Sequence, residues 1–314
     1  LETAQADEKE HMTAKKIIFL ITPPATHALD ESLTKSEAES ITEEIAEENH
    51  LLLPKAFARC GWSVTCATHS ELSLGPRGIE IAGNPASHYD LIWPVGFGPK
   101  NGFLDRSALL ASIESSRLIS PISKQILHHG KSAWVEHCPE THISNNPNTL
   151  LKVLSAEQGA WVLKPMAGSF GRDVQIIRAE QGSLLEKMFA QAPGMYFCLQ
   201  RFLPEITQGE IRTLVVGGEI IGSYLRKPAD GLRANLAQMA NAEKTTLEGP
   251  AAKLVATIQQ DLIDNRIGFA AIDTVGQWLM EVNIANPGGL GTLNRLFDED
   301  FGAKVVQAVE HFLD

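Results

Sequence analysis

The sequence has no stretch approaching the roughly 18–20 consecutive apolar residues that a membrane-spanning helix requires, which excludes such a helix. Cysteine is scarce: Cys60, Cys66, Cys138 and Cys198 are the only four in 314 residues, and no two form a Cys-x-x-Cys pair. A disulfide scaffold is thereby excluded, and reduced thiols in a cytoplasmic protein are expected. Basic residues are outnumbered, Lys+Arg 27 against Asp+Glu 38, for a formal net charge of −11. That balance excludes a generally basic nucleic-acid binder but leaves room for a local basic patch. No Ser-His-Asp arrangement or serine-bearing glycine elbow can be assembled, and the spacing of His128, His129, His137 and Cys138 fits no zinc pattern. There is no internal repeat and no low-complexity tract.

What is present is ordinary globular material, 44% apolar and 21% charged, long enough for one large or two to three modest domains. Residues 1–11, LETAQADEKEH, lack apolar periodicity as well as the basic start and apolar middle of a secretory signal. They read as a cloning remnant ahead of Met12. Glu2, Asp7, Glu8 and Glu10 against Lys9 contribute −3, which leaves −8 on residues 12–314.

The run Lys16–Ile21, apolar from Ile17 onward, reads as a strand buried on both faces, ended by Thr22-Pro23-Pro24. Residues 36–48 carry six glutamates with spaced Ile41 and Ile45, the pattern of a solvated helix, and 51–59 continue helical. Strands follow at 63–67 and 89–94, then a glycine-rich loop, Val95-Gly96-Phe97-Gly98-Pro99, and a helix near 105–116. Alternating strands and helices predict an α/β N-terminal domain with an open, mostly parallel sheet over 12–121. Beyond it the texture turns α+β. Hairpins are expected at 161–165 with 174–177, at 211–216 with 219–225 around Gly217-Gly218, and at 270–275 with 278–283. Helices are expected at 183–191 and 250–264, with a strand at 196–200.

The last hairpin carries the most chemistry. Glu281 and Asn283 are two apart and leave the same face of one strand, and a turn at Gly276-Gln277 can bring Asp273 beside them. Two carboxylates and an amide oxygen are hard ligands, suited to Mg²⁺ bridging nucleotide phosphates, although three solvated polar residues on a hairpin edge would have the same spacing. Lys164 ends a buried-looking strand and precedes a loop containing Gly168, Ser169 and Gly171. A point charge and backbone N–H groups there can meet phosphate; a surface lysine before an ordinary turn is the plain alternative. The loop lacks the Gly-Lys-Ser/Thr of a Walker motif. Arg212 occupies a strand, and Arg226, Arg233 and Asn235 follow in polar surroundings.

The succession Lys131, Lys164-Pro, the Gly-Ser loop, Gln200-Arg201-Phe202-Leu203-Pro204-Glu205, Arg212, Arg233-x-Asn235, Asp273 and Glu281-x-Asn283 resembles the ATP-grasp ligase superfamily, and within it the bacterial glutathione synthetases. The likeness spans about residues 85–290. It implies an ATP-grasp domain of two subdomains, a lid at 122–197 and a catalytic subdomain at 198–314, after a substrate domain at 12–121. It also implies that Lys131, Lys164, Gly168, Ser169 and Gly171 hold ATP phosphates, that backbone groups of Gln200, Arg201 and Phe202 meet adenine, and that Glu210 lies near the ribose. Asp273, Glu281 and Asn283 would bind two Mg²⁺ ions, with Mn²⁺ as a possible substitute. Arg212 and Arg233 would neutralise charge on the leaving γ-phosphoryl, and Asn235 would orient the activated carboxyl. Arg226, Asn286, Gly288 and Gly289 would face a small acid and an amine, the loop 286–294 touching substrate. A homo-oligomer is implied, with neither nucleic acid nor membrane as partner.

The sequence departs from that pattern in places that shape substrate pockets. Gly168-Ser169-Phe170-Gly171, running to Val174, stands where Asp-Gly-Met-Gly-Gly is usual, and is similar to the peptide-modifying RimK group. Leu236-Ala237 replaces a Gly-Gly pair, and Asn286-Pro287-Gly288-Gly289 replaces Ser/Thr-Pro. Three functions follow as expectations: a glutathione-synthetase-type ligase, a RimK-like ligase acting on a peptide, and a nucleotide-binding regulator without turnover.

Overall fold

The computed structural model describes residues 14–22, 49–166, 174–227 and 241–314. The expected remnant at 1–11 and acidic helix at 36–48 lie outside them, as do Gly168, Ser169, Gly171, Arg233 and Asn235.

β1 (Lys16–Ile21) is followed by α1 (Asn49–Arg59) and β2 (Ser63–Thr68). A small antiparallel sheet, β3 (Leu72–Gly75), β4 (Gly78–Ile81) and β5 (Asn84–Pro85), precedes β6 (Leu91–Pro94). β1 lies between β2 and β6 in a parallel sheet, as the sequence predicts. Ile17, Ile18, Phe19 and Leu20 are fully buried because both faces of a central parallel strand are covered. The small sheet has no counterpart in the sequence reading; its strands have two to four residues, too short for a periodic signal. α2 (Phe103–Ala111) is shorter than the 105–116 expected, and Ser115–Arg117 forms a separate 3₁₀ turn. Ser112 Oγ donates back to Ala108 O, the competition with helical bonding that serines offer.

After α3 (Ile122–His129) and a 3₁₀ turn (Lys131–His137), a second sheet is built from β7 (Thr141–Ser144), β8 (Trp161–Pro165), β9 (Gln175–Ile177) and β10 (Phe197–Arg201). Its order is β7-β10-β8-β9, all antiparallel. α4 (Pro147–Ala156) and α5 (Gly182–Gln191) cover one face. α4 starts cleanly, with Asn146 capping the Asn148 N–H and Pro147 at the first turn. The period of two sends Trp161, Leu163, Phe197 and Leu199 into a core with Leu150, Leu154 and Leu185. Lys164, Cys198 and Gln200 therefore leave the opposite face. β10 crosses the boundary expected at 197, because pairing with β7 and β8 holds it in this sheet. Conversely, the turn Lys131–His137, expected within the lid, packs against the third sheet.

That third sheet comprises β11 (Glu210–Val216), β12 (Glu219–Lys227), β13 (Asn241–Lys244), β14 (Phe269–Val275) and β15 (Trp278–Asn283), antiparallel in the order β13-β12-β11-β14-β15. Gly217 and Gly218, with φ of +57° and +84°, make the two-residue turn that joins β11 to β12. α6 (Gly249–Asp264) packs on one face through Val255 and Ile258, against Val215 and Ile272. The other face shares a core with the parallel sheet, where Phe19, Phe57, Trp93, Leu214, Val216 and Phe269 meet α7 (Leu290–Phe297) and α8 (Phe301–Leu313). Trp93 and Phe269 rings join the two sheets edge to face at 5.1 Å. α7 corrects the expected loop 286–294: from Leu290 onward the chain is helical, and Thr292 and Leu293 are buried.

Candidate active site

The shared face of the third sheet turns from apolar to charged partway along its strands. On β11, Leu214 and Val216 point to the common core, and the same alternation carries Arg212 and Glu210 onto that face beyond it. Register places Arg212 opposite Asp273 of β14 and Tyr224 of β12, Glu210 opposite Arg226, Asp273 opposite Glu281, and Ala271 opposite Asn283. A bulge between Asp273 and Thr274 lets Glu281 reach this register. The three expected metal ligands are thus brought together.

Arg212 holds Asp273 in a fork, Nε to Oδ1 at 2.8 Å and Nη2 to Oδ2 at 2.7 Å. Arg226 Nη2 reaches the same Oδ2 at 2.9 Å and also bonds Glu210 Oε1. Asn283 Nδ2 lies 3.4 Å from Asp273 Oδ2 and 3.3 Å from Glu281 Oε2. Glu281 Oε1 accepts from Lys131 Nζ at 3.0 Å. Every formal charge here has an opposite partner, as buried charges require. Burial alone would raise the Glu281 carboxyl, but Lys131, Lys164 and Arg212 outweigh that and hold it at about 2. Glu210 moves the other way: burial raises it, with Asp273 and Glu281 adding to the rise against the opposing pull of Arg226.

Facing this cluster is the open side of the second sheet. Lys164 Nζ donates to Gln200 Oε1 at 2.9 Å, and Gln200 Nε2 donates to Thr141 Oγ1 at 2.9 Å. Lys131, Lys164, Gln200, Glu281 and the thiols of Cys138 and Cys198 line one cavity between the two sheets. Burial raises both thiols, Cys138 to about 11, so they are neutral, poorly nucleophilic walls.

Some expected residues stand elsewhere. Arg226, expected at substrate, is buried as the cross-strand partner of Glu210, whose own carboxylate is engaged by that pairing. The Arg201 side chain lies on the helix-covered face, stacked 3.9 Å over Trp161 and bonded to Glu140 and Glu157. The Arg201 and Phe202 N–H groups already donate, to Glu140 O and Ala160 O. Lys131 opens the 3₁₀ turn that follows α3. Asn286 and Gly288 are fixed by Asn49 and Arg212, at 2.8 and 3.2 Å. Gly289, with φ of +133°, packs under Tyr224, where a Cβ would come within 3.0 Å of the hydroxyl. Sequence reasoning passed over Asn49 and Thr141, and weighed His129 only within a histidine group that fits no zinc pattern. His129 Nδ1 accepts the Ile284 N–H at 3.3 Å, and burial keeps the ring neutral. Its place two residues before Lys131 was the only available signal.

Among the described residues no group of three or more His, Cys, Asp or Glu side chains is arranged to hold a metal ion. Asp273 and Glu281 with the Asn283 amide do fit a hard cation that draws its remaining ligands from phosphate oxygens and water. Both carboxylates pair with cations, and the exchange of an Arg212 or Lys131 contact for a metal keeps each of them compensated.

Residues 130–298 match the family described as prokaryotic glutathione synthetase, ATP-grasp domain. The chain is 32% identical over 288 residues to the glutathione synthetase of Rhodopseudomonas palustris, covering 82% of this chain and 91% of that protein. It is 33% identical over 160 residues to that of Parasynechococcus marenigrum, covering 50% of this chain and 52% of that one. Among solved structures, D-cycloserine synthetase superposes with a TM-score of 0.65 at 17% identity, covering 95% of this chain and all of that one. A ligase of the same fold from Chryseobacterium gregarium, solved with ADP and a leader and core peptide, gives 0.64 at 12% identity over 95% and 97% of the two chains. The fold implies ATP binding and use of a divalent metal. The chain therefore belongs to the prokaryotic glutathione synthetase family of ATP-grasp proteins and is an ATP-dependent ligase.

Proposed function

We propose that the protein joins a carboxylate to an amine through an acyl phosphate, as a glutathione synthetase or a close variant, with γ-glutamylcysteine and glycine as the pair. The observation that carries this reading is the fork of Arg212 on Asp273 beside the Lys131–Glu281 pair, across a cavity from Lys164. In the first step a substrate carboxylate attacks the γ-phosphorus, and both reactants are anions. Catalysis is therefore positioning plus charge neutralisation. Lys131 and Lys164 exchange Glu281 and Gln200 for phosphate oxygens, and Arg212 turns from Asp273 to the phosphoryl group being transferred. Arg226 stays on Asp273 and keeps that carboxylate oriented while Arg212 is engaged. Magnesium, two ions in this reading, supplies positive charge against the phosphate oxygens when bound. The amine then displaces phosphate and forms the amide.

Arg233 and Asn235 belong to the same proposal as the second arginine and the group that orients the carboxyl. Gly168, Ser169 and Gly171 belong to it as hydrogen-bond donors to phosphate, and a cytoplasmic homo-oligomer completes it, its subdomains meeting near 121 and, with β10 kept in the second sheet, after 201 rather than at 197. The test is phosphate release from ATP with γ-glutamylcysteine plus glycine. Release with no small acid and amine would sink the proposal. A RimK-like reading is favoured by one feature, the Gly-Ser-x-Gly pattern at 168–171, and release only with a peptide acceptor would select it.

A further inference from the structure

The segment from Ile284 to Gly289 crosses between the parallel sheet and the charged face, and its backbone groups can be followed one by one. The Ile284 N–H goes to His129. Ala285 O accepts from the Gly96 N–H at 2.9 Å, in the glycine-rich loop after β6. Pro287 O accepts from Asn49 Nδ2 at 2.8 Å, Gly288 O from Arg212 Nη1 at 3.2 Å, and Gly289 O from the Leu293 N–H at 2.9 Å. The same Asn49 nitrogen also donates to Asn286 Oδ1 at 2.8 Å. A carbonyl can only accept, so Pro287 O fixes which end of the Asn49 amide faces the segment. Asn49 is 3% exposed and its Oδ1 has no hydrogen-bond partner among the described residues, a cost that simple helix propensity does not explain.

We propose that Asn49 is a positioning residue, through which the N-terminal α/β unit sets where Gly288 O, and hence Arg212, stands. Adjacent carbonyls, at 287 and 288, are held from opposite sides, one by Asn49 and one by Arg212. When Arg212 leaves Asp273 for the transferring phosphoryl group, its fork is released and Gly288 O is the anchor that remains. A shift of the 286–289 segment then moves the guanidinium directly, and misplacement by an ångström is costly in a positioned reaction. The proposal rests on the reading of Arg212 as the group that meets the γ-phosphoryl.

The test compares Asn49→Asp, Asn49→Ala and the wild-type full-length chain by steady-state kinetics and by hydrogen exchange of the 284–292 peptide. Asp has nearly the same shape but presents only acceptors to two acceptors, so it should be worse than Ala. Expected is a kcat loss of about tenfold or more for Asn49→Asp and a smaller loss for Asn49→Ala, with the KM for ATP held within about twofold. Exchange at 284–292 should speed up by about tenfold in Asn49→Asp while 161–166 and 269–275 stay protected. Combining Asn49→Ala with Arg212→Lys should cost less than the sum of the two, since both act at one group. Unchanged exchange at 284–292, or additive losses, would overturn the proposal. So would Asn49→Asp that raises KM and loosens every peptide together, the signature of a general structural role. Should the wild type turn over no acid and amine at all, the ligase reading fails, and the exchange measurement alone decides the Asn49 clamp.

Discussion

Arg212 grips Asp273 with two parallel hydrogen bonds, Nε to Oδ1 and Nη2 to Oδ2, from directly opposite registers of neighbouring strands. Lysine carries the charge but not the fork. Arg212→Lys is expected to lower kcat by roughly 10²–10³-fold with little change in fold, measured as ATP-dependent phosphate release and far-UV circular dichroism.

Arg226 and Glu210 form a second buried ion pair within the cluster. Arg226→Met leaves Glu210 buried without its cation and should cost about 3–5 kcal/mol in denaturant unfolding. Adding Glu210→Leu should recover most of that stability, because two apolar groups need no partner. Turnover should not return, since Asp273 has still lost a donor. Recovery of both would reduce the pair to a packing element.

Glu281 is held at about 2 against an ordinary value of 4.5. A carboxyl depressed in the folded state contributes stability above pH 4.5 that is lost as pH falls from there toward 2. Wild type should therefore lose stability through this window more steeply than Glu281→Gln. Between pH 5 and 9 Glu281 stays ionised, so an acid limb of activity in that range should keep its midpoint when Lys131 is replaced by Arg.

Lys164 joins the cavity wall through Gln200. Lys164→Met keeps length and removes charge, and should raise the KM for ATP by about tenfold or more as a phosphate contact is lost. A KM unchanged in this variant would exclude Lys164 from the nucleotide site. Chelation of divalent metal should abolish turnover while leaving the circular dichroism of the apoprotein intact.

Gly289→Ala places a methyl group 3.0 Å from the Tyr224 hydroxyl at a φ that favours glycine. The expected cost is about 1–3 kcal/mol by thermal or urea unfolding. Addition of Tyr224→Phe should recover only part of that cost, because the ring carbon Cε1 stands 3.2 Å from the new methyl and the backbone strain remains.

The parallel sheet and the three hairpins were legible because each rests on local signals: apolar runs, Gly-Gly turns and a period of two. Asp273 with Glu281-x-Asn283 could be assembled from that period alone. The Arg226–Glu210 pair could not, because which residue of β12 stands opposite Glu210 depends on the register shift between Leu214 and Val215. The Arg201 side chain was equally hidden, since choosing its face requires knowing which side of the second sheet the helices cover. Asn49 gave no signal at all; its partners lie 237 and 238 positions away.

The apolar residues behind Lys164 and Gln200 form a cluster of their own, built from α4, α5 and the second sheet. Below the cavity, by contrast, one continuous core runs from Phe19 through Trp93 to Phe269 and Val305. The roof thus carries its core within itself, like a tile, whereas the floor cannot bend without breaking two sheets at once.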